Sequence, residues 1–265
     1  MKWPNLLGMV RHGRSAYNEL AHRIKQDPLW PQFVKEFDND HTSNITRELA
    51  SNLSSRYPQE YADYDTPLVN EGRNEARRAG LFAPTVMPLP DIVIVSPYLR
   101  TRQTREGIVE TWPALGKVPY YTDENLVERE IGLAILYSNW RFFYVFYPDQ
   151  KLYSDRVGYY HYRYPQGENV PDVRRRKKHL IQTIIREYAG KRVLLIAHHL
   201  SILALRANLE RQSPEEFTQL DKKNPPKNCS ITIYRGYPDL GKDGKLLLEN
   251  YNMLAPGNTV EEPAA

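Results

Sequence analysis

The feature that most constrains this chain is a pattern that occurs three times: a short apolar run ends in basic or hydroxyl residues and passes directly into a helix-like stretch. Leu6-Leu7-Gly8-Met9-Val10 leads into Arg11-His12-Gly13-Arg14-Ser15 and then Ala16 to Ile24, where Ser15 is placed to cap a helix. Ile92-Val93-Ile94-Val95 leads into Ser96-Pro97 and a helix to about Glu110, with Ser96 expected as the N-cap and Pro97 as the first helical residue. Val193 to Ala197 leads into His198-His199-Leu200-Ser201 and a helix through Leu209, whose Ile202, Leu203, Leu205 and Leu209 suit burial. Short, continuously apolar runs of this kind are what parallel strands buried on both faces look like. Helical spacing recurs in Asn70 to Leu81 and in Val170 to Tyr188, so strands and helices alternate. The expected fold is therefore α/β, a three-layer sandwich around a mostly parallel sheet.

A chain of 265 residues fits one such domain, expected over residues 1–254. Two stretches break its rhythm and read as insertions: residues 19–64, polar with Trp30, Phe33 and Phe37, and residues 133–165, dense in Tyr and Phe. Ile231 to Tyr234 and Leu246 to Glu249 are candidate strands around the turn Gly241-Lys242-Asp243-Gly244, and residues 255–265 read as a flexible tail. The net charge of +4 is mild and demands no nucleic acid. The run Arg174-Arg175-Arg176-Lys177-Lys178 lies on a helix whose apolar stripe accounts for the fold, and its cations are expected to be solvated. Cys229 is the one cysteine, which excludes an internal disulfide and a cysteine-built zinc site and points to a reducing compartment, the cytoplasm. No apolar run reaches the roughly 18 residues of a membrane span.

Ligands of open α/β sheets bind beyond the carboxyl ends of the strands, and here those ends carry Arg11, His12 and His198, with Arg100 one turn beyond the second strand. Arginine forks and helix N-termini suit an anion, and the anion whose transfer chemistry needs positioned cations is a phosphoryl group. A neutral imidazole can attack phosphorus and form a covalent intermediate, which makes His12 the candidate nucleophile. Gly13 beside it permits either a close backbone approach or a positive φ. A departing alkoxide needs a proton, and Glu124, Glu128 and Glu130 are the carboxyls best placed to give one; spacing does not choose among them.

The chain resembles the histidine phosphatase superfamily, which includes the cofactor-dependent phosphoglycerate mutases. Arg11-His12-Gly13 with Ser15 and Asn18 is similar to the RHGxSxxN signature. Asp65-Thr66-Pro67-Leu68 with Glu71, Gly72, Glu75, Ala76 and Gly80 resembles the helix motif that follows it. Ser96, Leu99, Arg100 and Thr104 match SxxLxRxxxT; Leu126, Glu128 and Gly132 match LxExxxG; Gly167-Glu168-Asn169 resembles GES; and Ala197, His198 and Ser201 resemble AHGxS. The resemblance implies a phosphohistidine at His12, phosphate held by Arg11, Arg100, His198 and Asn18, and Glu128 as the group that protonates the leaving oxygen and activates water, with no metal or cofactor. It implies a small phosphorylated substrate and no nucleic-acid or membrane partner, and leaves the oligomeric state open. Two departures are possible ligand contacts: Arg14 where many members have Glu, and His199 where the family has glycine. The paired arginines by which mutases grip a carboxylated substrate have no clear counterpart in residues 133–165. The expectation is therefore a metal-independent phosphomonoester hydrolase. Its alternatives are a phosphoglycerate mutase primed by a bisphosphorylated cofactor, and a catalytically silent module that binds phosphorylated ligands.

Overall fold

The computed structural model of the chain describes residues 2–258. The three repeated runs form strands β1 (Leu6–Arg11), β2 (Ile92–Val95) and β4 (Arg192–Ala197), and β3 (Tyr120–Thr122) is a short edge strand without a clear signal in the sequence. The two late runs form β5 (Ile231–Tyr237) and β6 (Lys245–Met253). The sheet order is β3-β2-β4-β1-β5-β6, parallel from β3 to β1 and antiparallel across β5 and β6. Val10 and Val95 both lie opposite Ile196, so the carboxyl ends of β1, β2 and β4 are level. That register sets the residues just past each strand side by side.

Both faces of the sheet are apolar, as continuous hydrophobic runs require. On one face Leu6, Val10, Val93, Val95, Leu194 and Ile196 pack against Ala76, Ala79 and Ile108 from α4 (Asn70–Val86) and α5 (Leu99–Thr111). On the other, Leu7, Met9, Ile94, Val193 and Leu195 meet Leu180, Ile181 and Ile184 of α8 (Val170–Glu187) and Ile202 and Leu205 of α9 (His199–Leu209). A further helix, α10 (Pro214–Lys223), seats Phe217 against α8 and α9. No helix among the described residues is long and apolar enough to cross a membrane.

The two inserted stretches are largely helical. The first holds α2 (Trp30–Asp40), α3 (Asn44–Arg56) and most of α1 (Ala16–Gln26); the second holds α6 (Trp140–Phe146) and α7 (Pro148–Val157). They share one core, in which Ile24, Trp30, Phe33, Phe37 and Leu53 pack on Phe142, Phe143 and Tyr144. Phe33 and Phe142 have ring centroids 5.2 Å apart. Two segments about a hundred residues apart in the chain thus make a single helical cap.

Three expectations need correction. Ser96 does not cap a helix: α5 begins at Leu99 with Tyr98 as N-cap, because the buried Ser96 hydroxyl is engaged elsewhere, against a histidine ring. The basic run on α8 is not solvated as a whole, since Lys177 is fully buried and Arg176 largely so, while Arg175 is exposed. The start of the expected tail is tied down at two points, with Ala255 buried and the Asn258 side chain accepting a bond from Arg78, while Pro256 and Gly257 between them are exposed; the rest of the expected tail lies outside the described residues.

Candidate active site

His12 is the first residue past β1, and its N–H still bonds the Ala197 carbonyl of β4 at 2.9 Å. The ring is buried, with Nδ1 2.7 Å from the Gly13 carbonyl. A carbonyl only accepts, so Nδ1 carries the proton and the lone pair sits on Nε2. Burial first, then the positive charges of Arg100 and Arg11, hold the His12 pKa well below the usual 6.5. The imidazole is therefore neutral, the form that attacks phosphorus. Asn228 Nδ2 donates to the His12 carbonyl at 2.9 Å and the Thr104 hydroxyl accepts from Gly13 N at 3.1 Å, so the turn is held on both sides. A Cβ on Gly13 would stand 2.4 Å from the Gly72 carbonyl. Gly13 does not have a positive φ. Close approach is thus what the glycine provides.

His198 ends β4 and is fully buried, its ring centroid 5.2 Å from that of His12. Arg100 Nε donates to His198 Nδ1 at 3.3 Å, so the proton is on Nε2, which donates to Ser96 Oγ at 2.7 Å. Burial and the charge of Arg100 also push the His198 pKa well down. Arg100 is buried over the Tyr98 ring, 4.7 Å from its centroid, and its Nη1 donates to the Asp63 carbonyl at 2.6 Å and its carboxylate at 2.9 Å. Arg11 Nη1 donates to the Pro226 carbonyl at 2.7 Å. The fold thus brings Arg11, His12, Arg100 and His198 together. It also explains the spacing of one motif: Ser96 orients His198, Arg100 lies against it four residues later, and Thr104, one turn on, holds Gly13.

The remaining candidates are placed less centrally. Asn18 closes a capping box on α1, accepting from Ser15 N at 3.1 Å, with Asn228 Nδ2 3.4 Å from its Oδ1. Arg14 turns toward Glu19 (2.8 Å), and its N–H donates to the buried Glu75 at 2.7 Å. Glu128 has Oε1 accepting from Arg129 N at 2.8 Å and Oε2 from Leu200 N at 3.1 Å, which seats its carboxylate at the N-terminus of α9. His199 opens α9 with Nε2 2.6 Å from Asp221 Oδ1, and Tyr159 donates to the other oxygen at 2.6 Å.

The loop bearing Glu128 is held from below. Lys177 Nζ donates to the Val127 carbonyl at 2.9 Å and also to that of Asn125; Ser201 Oγ donates to Leu126 and Val127 at 2.9 and 2.8 Å; and Arg176 reaches the Glu128 carbonyl at 3.1 Å while pairing with Glu168. At its far end Gly132 has φ of 51°, and a Cβ there would lie 2.0 Å from the Pro165 carbonyl. Sequence reasoning missed Asp63, Asn228 and Asp221. Each makes its contact through a fold-dependent juxtaposition, and no local pattern marks it.

The sequence model of the histidine phosphatase superfamily, branch 1, matches residues 50–242. No curated protein matches the chain in sequence. Among solved structures, a mycobacterial hydrolase is 19% identical, with a TM-score of 0.67 over 95% of this chain and 100% of its own. A mycobacterial glucosyl-3-phosphoglycerate phosphatase in complex with inorganic phosphate is 19% identical, with a TM-score of 0.61 over 95% of this chain and 98% of its own. YhfR of Bacillus stearothermophilus is 19% identical, with a TM-score of 0.62 over 93% and 96%. These likenesses establish the fold, including its mostly parallel six-stranded sheet.

Proposed function

Since the chain belongs to the histidine phosphatase superfamily, we propose that it hydrolyses phosphomonoesters through a phosphohistidine at His12. The observation that carries this reading is a buried, neutral imidazole whose Nε2 has no hydrogen-bond partner among the described residues, set beside two arginines and a second histidine. Nε2 attacks phosphorus, the bond to the ester oxygen breaks, and Glu128 protonates that oxygen as it leaves. Arg11 and Arg100 stabilise charge on the transferring oxygens, helped by His198 and Asn18. Water then attacks the phosphohistidine and frees phosphate. The scheme calls for no metal or cofactor, and a phosphatase among the structural neighbours supports the hydrolytic reading.

The test is phosphate release from a panel of phosphomonoesters without added metal, comparing wild type with His12→Ala and including 3-phosphoglycerate with its bisphosphate cofactor. Turnover that His12→Ala abolishes is expected. Isomerisation without net release would make the chain a mutase, and phosphate binding with no turnover would make it a binding module.

A further inference from the structure

We propose that His199, oriented by Asp221, is the general base that activates water in the second half of the reaction, a role separate from that of Glu128. This rests on the phosphohistidine reading above. His199 follows His198 at the start of α9, and Leu200, the next residue, gives its N–H to Glu128. The backbone of His199 is therefore next to the N–H that holds the carboxylate assigned to the leaving oxygen, and Arg129 senses the charges of both Glu128 and Asp221. In a two-step displacement at phosphorus the water enters from the side the leaving group vacated. A base for that water belongs on the same side.

The chemistry of the pair fits a base. Asp221 Oδ1 is 2.6 Å from His199 Nε2, which places the proton on that nitrogen and leaves the Nδ1 lone pair without a partner among the described residues. Asp221 is ionised: burial alone would raise its carboxyl, but the bonds from His199 and Tyr159 and the charge of Arg129 outweigh it and hold it below the usual carboxylate range. An ionised carboxylate behind an imidazole fixes the tautomer and stabilises the imidazolium that forms. His199 lies near enough to His12 that a charge gained there would be felt at His12, and its side chain is 31% exposed, so water reaches it.

The step balances. The water oxygen bonds to phosphorus, the bond from phosphorus to His12 Nε2 breaks with its electron pair going to Nε2, and the water proton goes to His199 Nδ1. That proton then passes to Glu128, which gave one up in the first half, and both groups return to their starting state. Asp221 is a positioning residue.

The experiment uses p-nitrophenyl phosphate, whose leaving group departs without a proton, so the first half runs independently of any acid. Nitrophenolate release is followed before and during steady state in wild type, His199→Gln, His199→Gly, Asp221→Asn and His12→Ala, alongside acid-labile phosphate on the protein. His199→Gln is expected to lower steady-state turnover about 10²-fold, to keep a rapid burst approaching one nitrophenolate per site, and to accumulate more phosphohistidine than wild type. Asp221→Asn should do the same to a smaller extent. Added imidazole should speed His199→Gly, which restores the family's glycine. Unchanged steady state in His199→Gln, loss of its burst, or failure of imidazole to act would each overturn the proposal. A wild type that hydrolyses the ester but forms no phosphohistidine, or that His12→Ala leaves active, would instead overturn the reading on which it rests.

Discussion

His12 and His198 are buried as neutral bases, and that state has a pH-dependent consequence. Unfolded, each titrates near 6.5; folded, each titrates well below it. The unfolded chain therefore binds more protons as the pH falls, so stability is complete above about 6.5 and is lost toward the folded values. Each histidine contributes a slope of up to about 1.4 kcal/mol per pH unit in that window. Melting temperatures measured from pH 7 to 5 should fall, and His198→Gln should fall less steeply. The same depression keeps Nε2 of His12 available in mild acid, so the acid limb of kcat/KM due to this group is expected below pH 6.5. An acid limb above 6.5 would contradict the burial seen at His12. Gly13 makes a second residue-scale prediction. Its Cβ has no room against the Gly72 carbonyl, so Gly13→Ala must shift the turn that aims His12. A displacement of about 1 Å in a catalytic group costs roughly 10²-fold in rate, and steady-state assay of Gly13→Ala should show a loss of that size.

At the scale of elements, the carbonyls of the loop from Asn125 to Glu128 are held by donors on α8 and α9. Lys177 is the central one. Lys177→Met would keep the apolar stem and remove the Lys177 donor from the Asn125 and Val127 carbonyls, leaving them to Arg176 and Ser201, which should cost about 1–3 kcal/mol in urea denaturation. It should also slow alkyl phosphates more than p-nitrophenyl phosphate, because the displaced loop carries the proposed acid. The strands and the helices behind them were legible because each buried run obeys one periodicity from end to end. The burial of Lys177 is hard to read for a related reason: it sits in a run of cations, yet residue 177 falls on the stripe of Val173, Leu180 and Ile184 and so on the buried side. Ser96 reads as a helix cap because a serine before a proline is also the signature of a helix start. Only the position of His198, about a hundred residues away, reveals where its hydroxyl goes. His12, Arg11, Arg100 and His198 were legible as a group because they follow the ends of adjacent strands, whereas Asp221 was not, since nothing in α10 marks the residue that meets His199.

For the whole molecule, the cap is the part that neither insertion could build alone. Phe33 lies at its centre, fully buried against Phe142. Phe33→Ala should destabilise the protein by about 3–5 kcal/mol, and hydrogen exchange should show the loss of protection shared by α2, α3 and α6 while β1 and β4 stay protected. Loss confined to α2 would mean that the two insertions fold separately. The first insertion also ends on the site, since Asp63 lies on Arg100 and the Tyr64 carbonyl accepts from Leu99 at the start of α5. Arg100, proposed above to hold the phosphoryl group, thus comes with a counter-ion supplied by the first insertion. In that proposed role, binding at this arginine exchanges one anion for another, and a chimera whose lid lacks the Asp63 carboxylate is expected to present a less neutralised cation and a higher affinity for phosphate.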